Sequence, residues 1–219
     1  MHKTSGIILI EVLVSLAILA IGILGLASLQ VYSLKSGQSA YWRSVASDLA
    51  NDMADRIRAN RSPKQNIGEG NAPATDEENK PIPFAPDYGR LSCSENAGAI
   101  SCNWMSGYTV PNGTAGSDLA KDDLENWMQL VKTSLPVGTN GGAIICRDND
   151  LTDDPGSGGQ PILNPAANDF VTKTGCLATN AALYATAPYV IKVWWQEQEI
   201  SSGNGGLSSG VLQYFATPI

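Results

Sequence analysis

The sequence predicts an α+β protein: a long N-terminal helix packed on an antiparallel sheet, with one additional helix. Three observations lead there. Val31–Arg58 has no proline, and Val45, Leu49, Met53 and Ile57 recur every four residues, the spacing of one helical face. Between Tyr189 and Gln196, Tyr189, Ile191, Val193 and Trp195 alternate with Val190, Lys192, Trp194 and Gln196, the period of a strand. Leu119, Ala120, Leu124, Trp127, Met128, Val131 and Leu135 trace a second helical face.

The first element begins inside an apolar run. Ile7–Leu29 reads IILIEVLVSLAILAIGILGLASL, matching the ~20 residues that a bilayer span needs. From Ile7 to Leu34 the one formally charged side chain is Glu11, and the leader MHKTSG precedes the run. A cleaved secretory signal ending near Ala27 fits poorly, because its apolar core is normally ~7–15 residues long and carries no carboxylate. A plain transmembrane anchor leaves Gly6 and Glu11 without a reason. An ionised carboxylate at bilayer depth costs ~2.5–3.5 kcal/mol on the insertion scale, so it calls for a partner. Cleavage after Gly6 supplies one: the new ammonium of Ile7 lies four residues before Glu11, on the same helical face. The ammonium of a neighbouring chain would serve equally well.

Beyond the apolar run the helix continues to about Asn60 and becomes amphipathic, with Trp42 and Ala46 widening its stripe and Asp52 and Arg56 spaced i, i+4 on its polar face. At 1.5 Å per residue such a helix is roughly 80 Å long. Gly22, Gly25 and Gly37 are its weak points, each costing ~1 kcal/mol against alanine. Arg61–Arg90 is rich in Pro, Gly, Asn and acid and has no period, which marks a long functional or mobile loop. The second helix is expected over Asp118–Leu135, with Ser117 as N-cap and Pro136 as terminator. Strands are expected over Gly142–Arg147, Tyr189–Glu197 and Val211–Thr217.

Composition excludes several functions. With 14 Lys+Arg against 21 Asp+Glu, the chain has a formal charge of −7, which argues against nucleic acid as a partner. Its one histidine, His2, lies in the leader, so a histidine base, a Ser-His-Asp triad or a histidine-ligated zinc is not expected in the mature chain. Gly206–Gly210 matches GxSxG literally but lacks a strand-turn-helix setting, and reads as a turn between strands. Asp148–Asp154 is acidic, yet the EF-hand positions for glycine and glutamate hold Asp153 and Gly159, so a solvated turn is expected. Asn60 and Asn112 begin sequons only by eye. Trp104, Tyr108 and Trp194 are expected in the core rather than on a partner surface. No cofactor, metal or catalytic residue is expected.

The four cysteines, Cys93, Cys102, Cys146 and Cys176, follow the apolar run and so belong to an oxidising compartment. Four cysteines allow three pairings. The sequential one is expected, with loops of about 10 and about 31 residues contributing roughly 2.7 and 3.7 kcal/mol on the chain-entropy model. Zinc is the rival reading, but CxxC spacing is lacking.

Gly6, Ile7 and Glu11, with the apolar run behind them, resemble the class III signal of type IV pilins: a short basic leader, a glycine, a hydrophobic first residue, and glutamate fifth in the mature chain. The family usually begins with Phe or Met, where this chain would begin with Ile7. SAYWRSVASDLANDMADRIRANR (Ser39–Arg61), the Trp127 helix ending in SLPVG, and the strand YVIKVWW are similar to the PilV-like minor pilins of the type IV pilus modification protein family. The resemblance implies the type IV pilin fold and a non-enzymatic role in priming pilus assembly at the tip. It implies cleavage between Gly6 and Ile7 by a prepilin peptidase, N-methylation of Ile7, and a role for Glu11 in assembly. It further implies other minor pilins, the major pilin and a tip adhesin as partners, an inner-membrane span with a periplasmic C-terminal domain, and a place at the pilus tip. The corresponding division is a leader (1–6), a transmembrane and pilus-core half-helix (7–34), an amphipathic half-helix (35–60) and a globular domain (61–219). The rival readings are a minor pseudopilin of type II secretion, which shares the N-terminus, and a membrane-anchored periplasmic ligand-binding module.

Overall fold

The computed structural model describes residues 5–60, 86–108, 114–150, 159–197 and 211–219. The chain is α+β, with a long N-terminal helix and antiparallel sheets. It divides into two compact units, Met1–Arg43 and Ser44–Ile219.

Helix α1 spans Ser5–Ala59. In the first unit every described side chain from Leu9 to Leu34 is exposed, and α1 is long and apolar enough to cross a membrane, with a mean hydropathy of 2.7 over its most apolar window. In the second unit α1 is amphipathic, and Ala46, Leu49, Ala50, Met53, Ala54 and Ile57 are buried. Val45 is only half-buried; the closely approached part of the stripe is built from alanines beside it. Arg56 and Arg58 occupy the last turn, where cations favour the helix dipole.

Helix α2 spans Thr114–Ser134, so it starts a turn earlier than the sequence suggests. Ser117 is buried inside it rather than capping it. The early start has a tertiary anchor: Asn60 Nδ2 donates to the Gly116 carbonyl at 2.9 Å, holding the first turn against the end of α1. Ala120, Leu124, Trp127, Met128 and Val131 are buried as the spacing requires, whereas Leu119 is exposed. Trp127 Nε1 donates to the Leu49 carbonyl at 2.8 Å, and Arg56 reaches Asp123 at 3.3 Å. Just past α2, Gly138 has φ +57, and a Cβ there would collide with the side-chain amide of Gln196. Both the left-handed turn and the close side chain require glycine.

The described residues form two sheets rather than one. Strands β1 (Leu91–Asn96) and β2 (Ala99–Trp104) form a hairpin whose two-residue turn has Ala97 at φ 50 and Gly98 at φ 85. Two central residues at positive φ make the turn follow the strand twist. A short 3-10 turn, Tyr88–Arg90, precedes the hairpin. The second sheet has the order β3-β4-β5, with β3 at Gly142–Arg147, β4 at Tyr189–Glu197 and β5 at Val211–Pro218. Both neighbours pair antiparallel to β4. Central β4 is buried on both faces: Ile191, Val193 and Trp195 on one, Val190, Lys192 and Trp194 on the other. The second face gathers Ile144, Cys146, Phe170, Cys176 and Trp194 into one cluster. Phe170 heads a five-residue helix, α3 (Phe170–Thr174), closed by Gly175 at φ 64, for which the sequence offers no period. Leu124 and Met128 of α2 share a small space with Ile144 and Ile145 of β3, so α2 joins α1 to both sheets.

Candidate functional site

Gly6 and Ile7 lie in the first turn of α1, and Glu11 follows in the next. Glu11 is exposed among exposed apolar neighbours: Ile10 is 62% and Val12 52% accessible. Its backbone carbonyl accepts the Ser15 hydroxyl at 2.8 Å, a local bond that satisfies Ser15 in an apolar setting and leaves the carboxylate to other partners. One turn of helix separates residue 7 from residue 11, so a charge at the amino group of Ile7 and the Glu11 carboxylate share one side of α1.

Both disulfides lie in the second unit and pair the cysteines sequentially. Cys93–Cys102 joins residues directly opposite in the hairpin, with Cα atoms 4.0 Å apart. The two N–H groups point outward, Cys93 N to the Leu163 carbonyl and Cys102 N to Glu125 Oε1. This is the non-hydrogen-bonded position, where opposing side chains approach most closely. Cys146–Cys176 ties β3 to the turn after α3, with Cα atoms 6.0 Å apart.

Beside the second disulfide is a buried charge pair. Lys192 Nζ donates to Asp148 Oδ2 at 2.5 Å and to the Thr174 carbonyl at 2.8 Å. Each of the two charged side chains is 1% exposed. Asp148 Oδ1 accepts the Asp150 amide. Asp148 is therefore not part of a solvated turn: its carboxylate is needed inside to neutralise Lys192. The rest of the acidic run, Leu151–Asp154, and the GxSxG match, Gly206–Gly210, lie outside the described residues, as do residues 61–85 of the loop and Arg61 and Asn112 of the sequon matches. Among the described residues no cluster of three or more His, Cys, Asp or Glu gathers as a metal site.

A second polar cluster joins the 3-10 turn to the three-stranded sheet. Asp87 accepts from Tyr189 at 2.8 Å and from the Gly89 amide, and it faces Arg90 and Arg147. Arg147 lies 3.7 Å over the Tyr189 ring, and Arg90 lies near the rings of Tyr108 and Tyr184. Arg90 and Arg147 also donate to the Thr179 and Ala187 carbonyls. Burial pushes the Tyr88 hydroxyl up to about 12, and raises Tyr108, Tyr184 and Tyr189 as well. Asp87, Arg90, Arg147 and Tyr189 are tied to one another, as expected of a structural cluster, while the Tyr88 hydroxyl accepts from Asn60 at 2.9 Å. Sequence reasoning missed this cluster, because its members are up to 102 residues apart. Of the three aromatics weighed as partner contacts, Trp194 is buried, and Trp104 and Tyr108 are half-buried.

Comparison of the chain with protein-family models, with curated proteins and with solved structures gives no match.

Proposed function

We propose that this protein is a structural, non-catalytic minor pilin of the PilV-like type, taking part in priming type IV pilus assembly at the tip. One observation carries the reading: a single carboxylate, Glu11, lies near the start of an otherwise uncharged apolar half-helix, exposed from Leu9 to Leu34, four residues after Ile7. A membrane anchor has no use for that charge, whereas a bundle of N-terminal helices does, because each new ammonium needs a counter-charge where water is excluded. The α+β unit bearing two disulfides is compatible with a pilin domain exported to an oxidising compartment.

In this reading a prepilin peptidase cuts between Gly6 and Ile7, and Ile7 is N-methylated. Glu11 neutralises an N-terminal ammonium during docking. The protein waits in the inner membrane as a single-pass protein with its C-terminal domain in the periplasm. It then enters the pilus tip beside other minor pilins, the major pilin and a tip adhesin.

Two measurements test this. N-terminal sequencing of the mature chain is expected to begin at Ile7; a start at Ser28 or an intact Met1 removes the pilin reading. Glu11→Val is expected to yield a processed, membrane-embedded, oxidised protein that no longer co-purifies with partner pilins. Normal co-purification and a normal pilus count at matched expression would remove Glu11 from the mechanism.

A further inference from the structure

A groove runs beside the hairpin, with a volume of about 400 Å³, within the ~300–1,000 Å³ typical of small-molecule sites. Its lining includes Ser92, Ser94, Asn103, Trp104, Met105 and Asn164, and among the described residues holds no Asp, Glu, Lys or Arg. We infer that this groove is a binding site for a neutral saccharide. The inference stands independently of the pilin reading.

The chemistry of the lining selects the ligand. Serine hydroxyls both donate and accept, and asparagine offers an acceptor and two donors, the same dual character as sugar hydroxyls. In the hairpin register Ser92 is opposite Asn103, so a hydroxyl and an amide stand side by side on one face. Ser94 and Asn103 are exposed. On the facing wall, Asn164 Oδ1 is occupied by the Ala166 amide at 2.9 Å, which fixes the side chain and turns its NH2 group to outside partners. Half-buried Trp104 and Met105 supply apolar surface for the C–H face of a sugar ring.

Other ligand classes fit less well. A phosphate or carboxylate needs a cation in the wall, and a metal ion needs carboxylates or imidazoles. An apolar ligand would desolvate the serine and asparagine groups without replacing their hydrogen bonds. The walls are also held in place before binding. The Cys93–Cys102 bridge crosses the hairpin, and Cys93 N bonds to the Leu163 carbonyl at 2.8 Å, fastening the Asn164 wall to β1. A site held this way loses little conformational freedom on binding.

The test uses the full chain in micelles of lauryldimethylamine oxide, a detergent without sugar. Cellotriose and triacetylchitotriose are the neutral probes, with sialyllactose as the charged comparator. Binding is read by saturation-transfer NMR of the ligand and by tryptophan fluorescence. At least one neutral trisaccharide is expected to bind saturably, with Kd no weaker than ~1 mM. The double variant Asn103→Ala/Asn164→Ala, in which both residues are exposed, is expected to weaken binding by at least ~10-fold with both disulfides intact. No binding of either neutral probe, equal binding by the asparagine variant, or sialyllactose binding as tightly as the neutral probes overturns the inference. None of these outcomes bears on N-terminal processing or pilin co-purification.

Discussion

Replacing Asp148 by alanine isolates a single energetic term. Lys192 Nζ has two partners, Asp148 Oδ2 at 2.5 Å and the Thr174 carbonyl at 2.8 Å, and its side chain is 1% exposed. Without the carboxylate the ammonium remains buried with one neutral acceptor, the Thr174 carbonyl. Breaking a buried pair from one side costs ~3–5 kcal/mol, and the surviving Thr174 bond places this case near ~3 kcal/mol. With an m-value of ~2 kcal/mol per molar, the urea midpoint falls by about 1.5 M. The assay is urea unfolding of the full chain in micelles, followed by tryptophan fluorescence. Lys192→Met added to Asp148→Ala removes the stranded charge and keeps an unbranched stem of similar reach. The double variant is therefore expected to be more stable than Asp148→Ala alone, with a coupling of at least ~2 kcal/mol. A midpoint shift below ~0.5 M for Asp148→Ala, or strictly additive single and double variants, would refute the reasoning.

Trp127→Phe removes the buried bond to the Leu49 carbonyl at 2.8 Å while keeping most of the packing, so a loss of ~1–3 kcal/mol is expected in the same unfolding assay; Trp127→Ala is expected to lose ~3–5 kcal/mol. Replacing Cys146 and Cys176 by serine opens the longer loop, separated by 30 residues in sequence, and is expected to cost ~3.7 kcal/mol, against ~2.7 kcal/mol for Cys93 and Cys102. Thermal melting, together with non-reducing peptide mapping of the surviving bridge, checks that order. At alkaline pH the sign follows from the tyrosines: they stay protonated in the folded chain, while unfolded tyrosine ionises near ~10. Their stabilising contribution is present in full below pH ~10 and declines as pH rises toward about 12, the Tyr88 value. Tyrosinate absorbance measured alongside unfolding is expected to show Tyr88 titrating with the loss of structure rather than before it.

Much of the fold is legible in local periodicity. α1 and the buried face of α2 follow from spacings of three and four residues and β4 from a spacing of two, while β3 is a continuous buried run without alternation. The hairpin is less visible: its turn carries Ala97 rather than the Asn-Gly that usually marks such turns, and its strands alternate serine with cysteine. Ser117 misleads because a cap is a local signal, whereas the start of α2 is fixed by Asn60 from a distant part of the chain. The burial of Lys192 follows from β4 being central and covered on both faces, which no alternation within one strand reveals. Asp148 reads as one of several surface acids for the same reason. Glu11 is legible because it is the one charge in its surroundings. The groove beside the hairpin is not, since Asn164 reaches it only through the bond between Cys93 and Leu163.

The bond from Trp127 to Leu49 spans 78 residues, and the one from Tyr189 to Asp87 spans 102. A chain emerging residue by residue thus exposes the alanine-rich stripe of α1 well before α2 exists to cover it, and completes the sheet only when β4, threaded between β3 and β5, is delivered near the end. Loop closures of that length slow folding and leave apolar surface open to wrong partners in the interval. The interval before β4 joins the sheet is therefore the vulnerable stage of folding, where a holding chaperone matters most. A premature stop before Tyr189 would not yield a slightly shorter protein but a chain with no central strand, fit only for degradation.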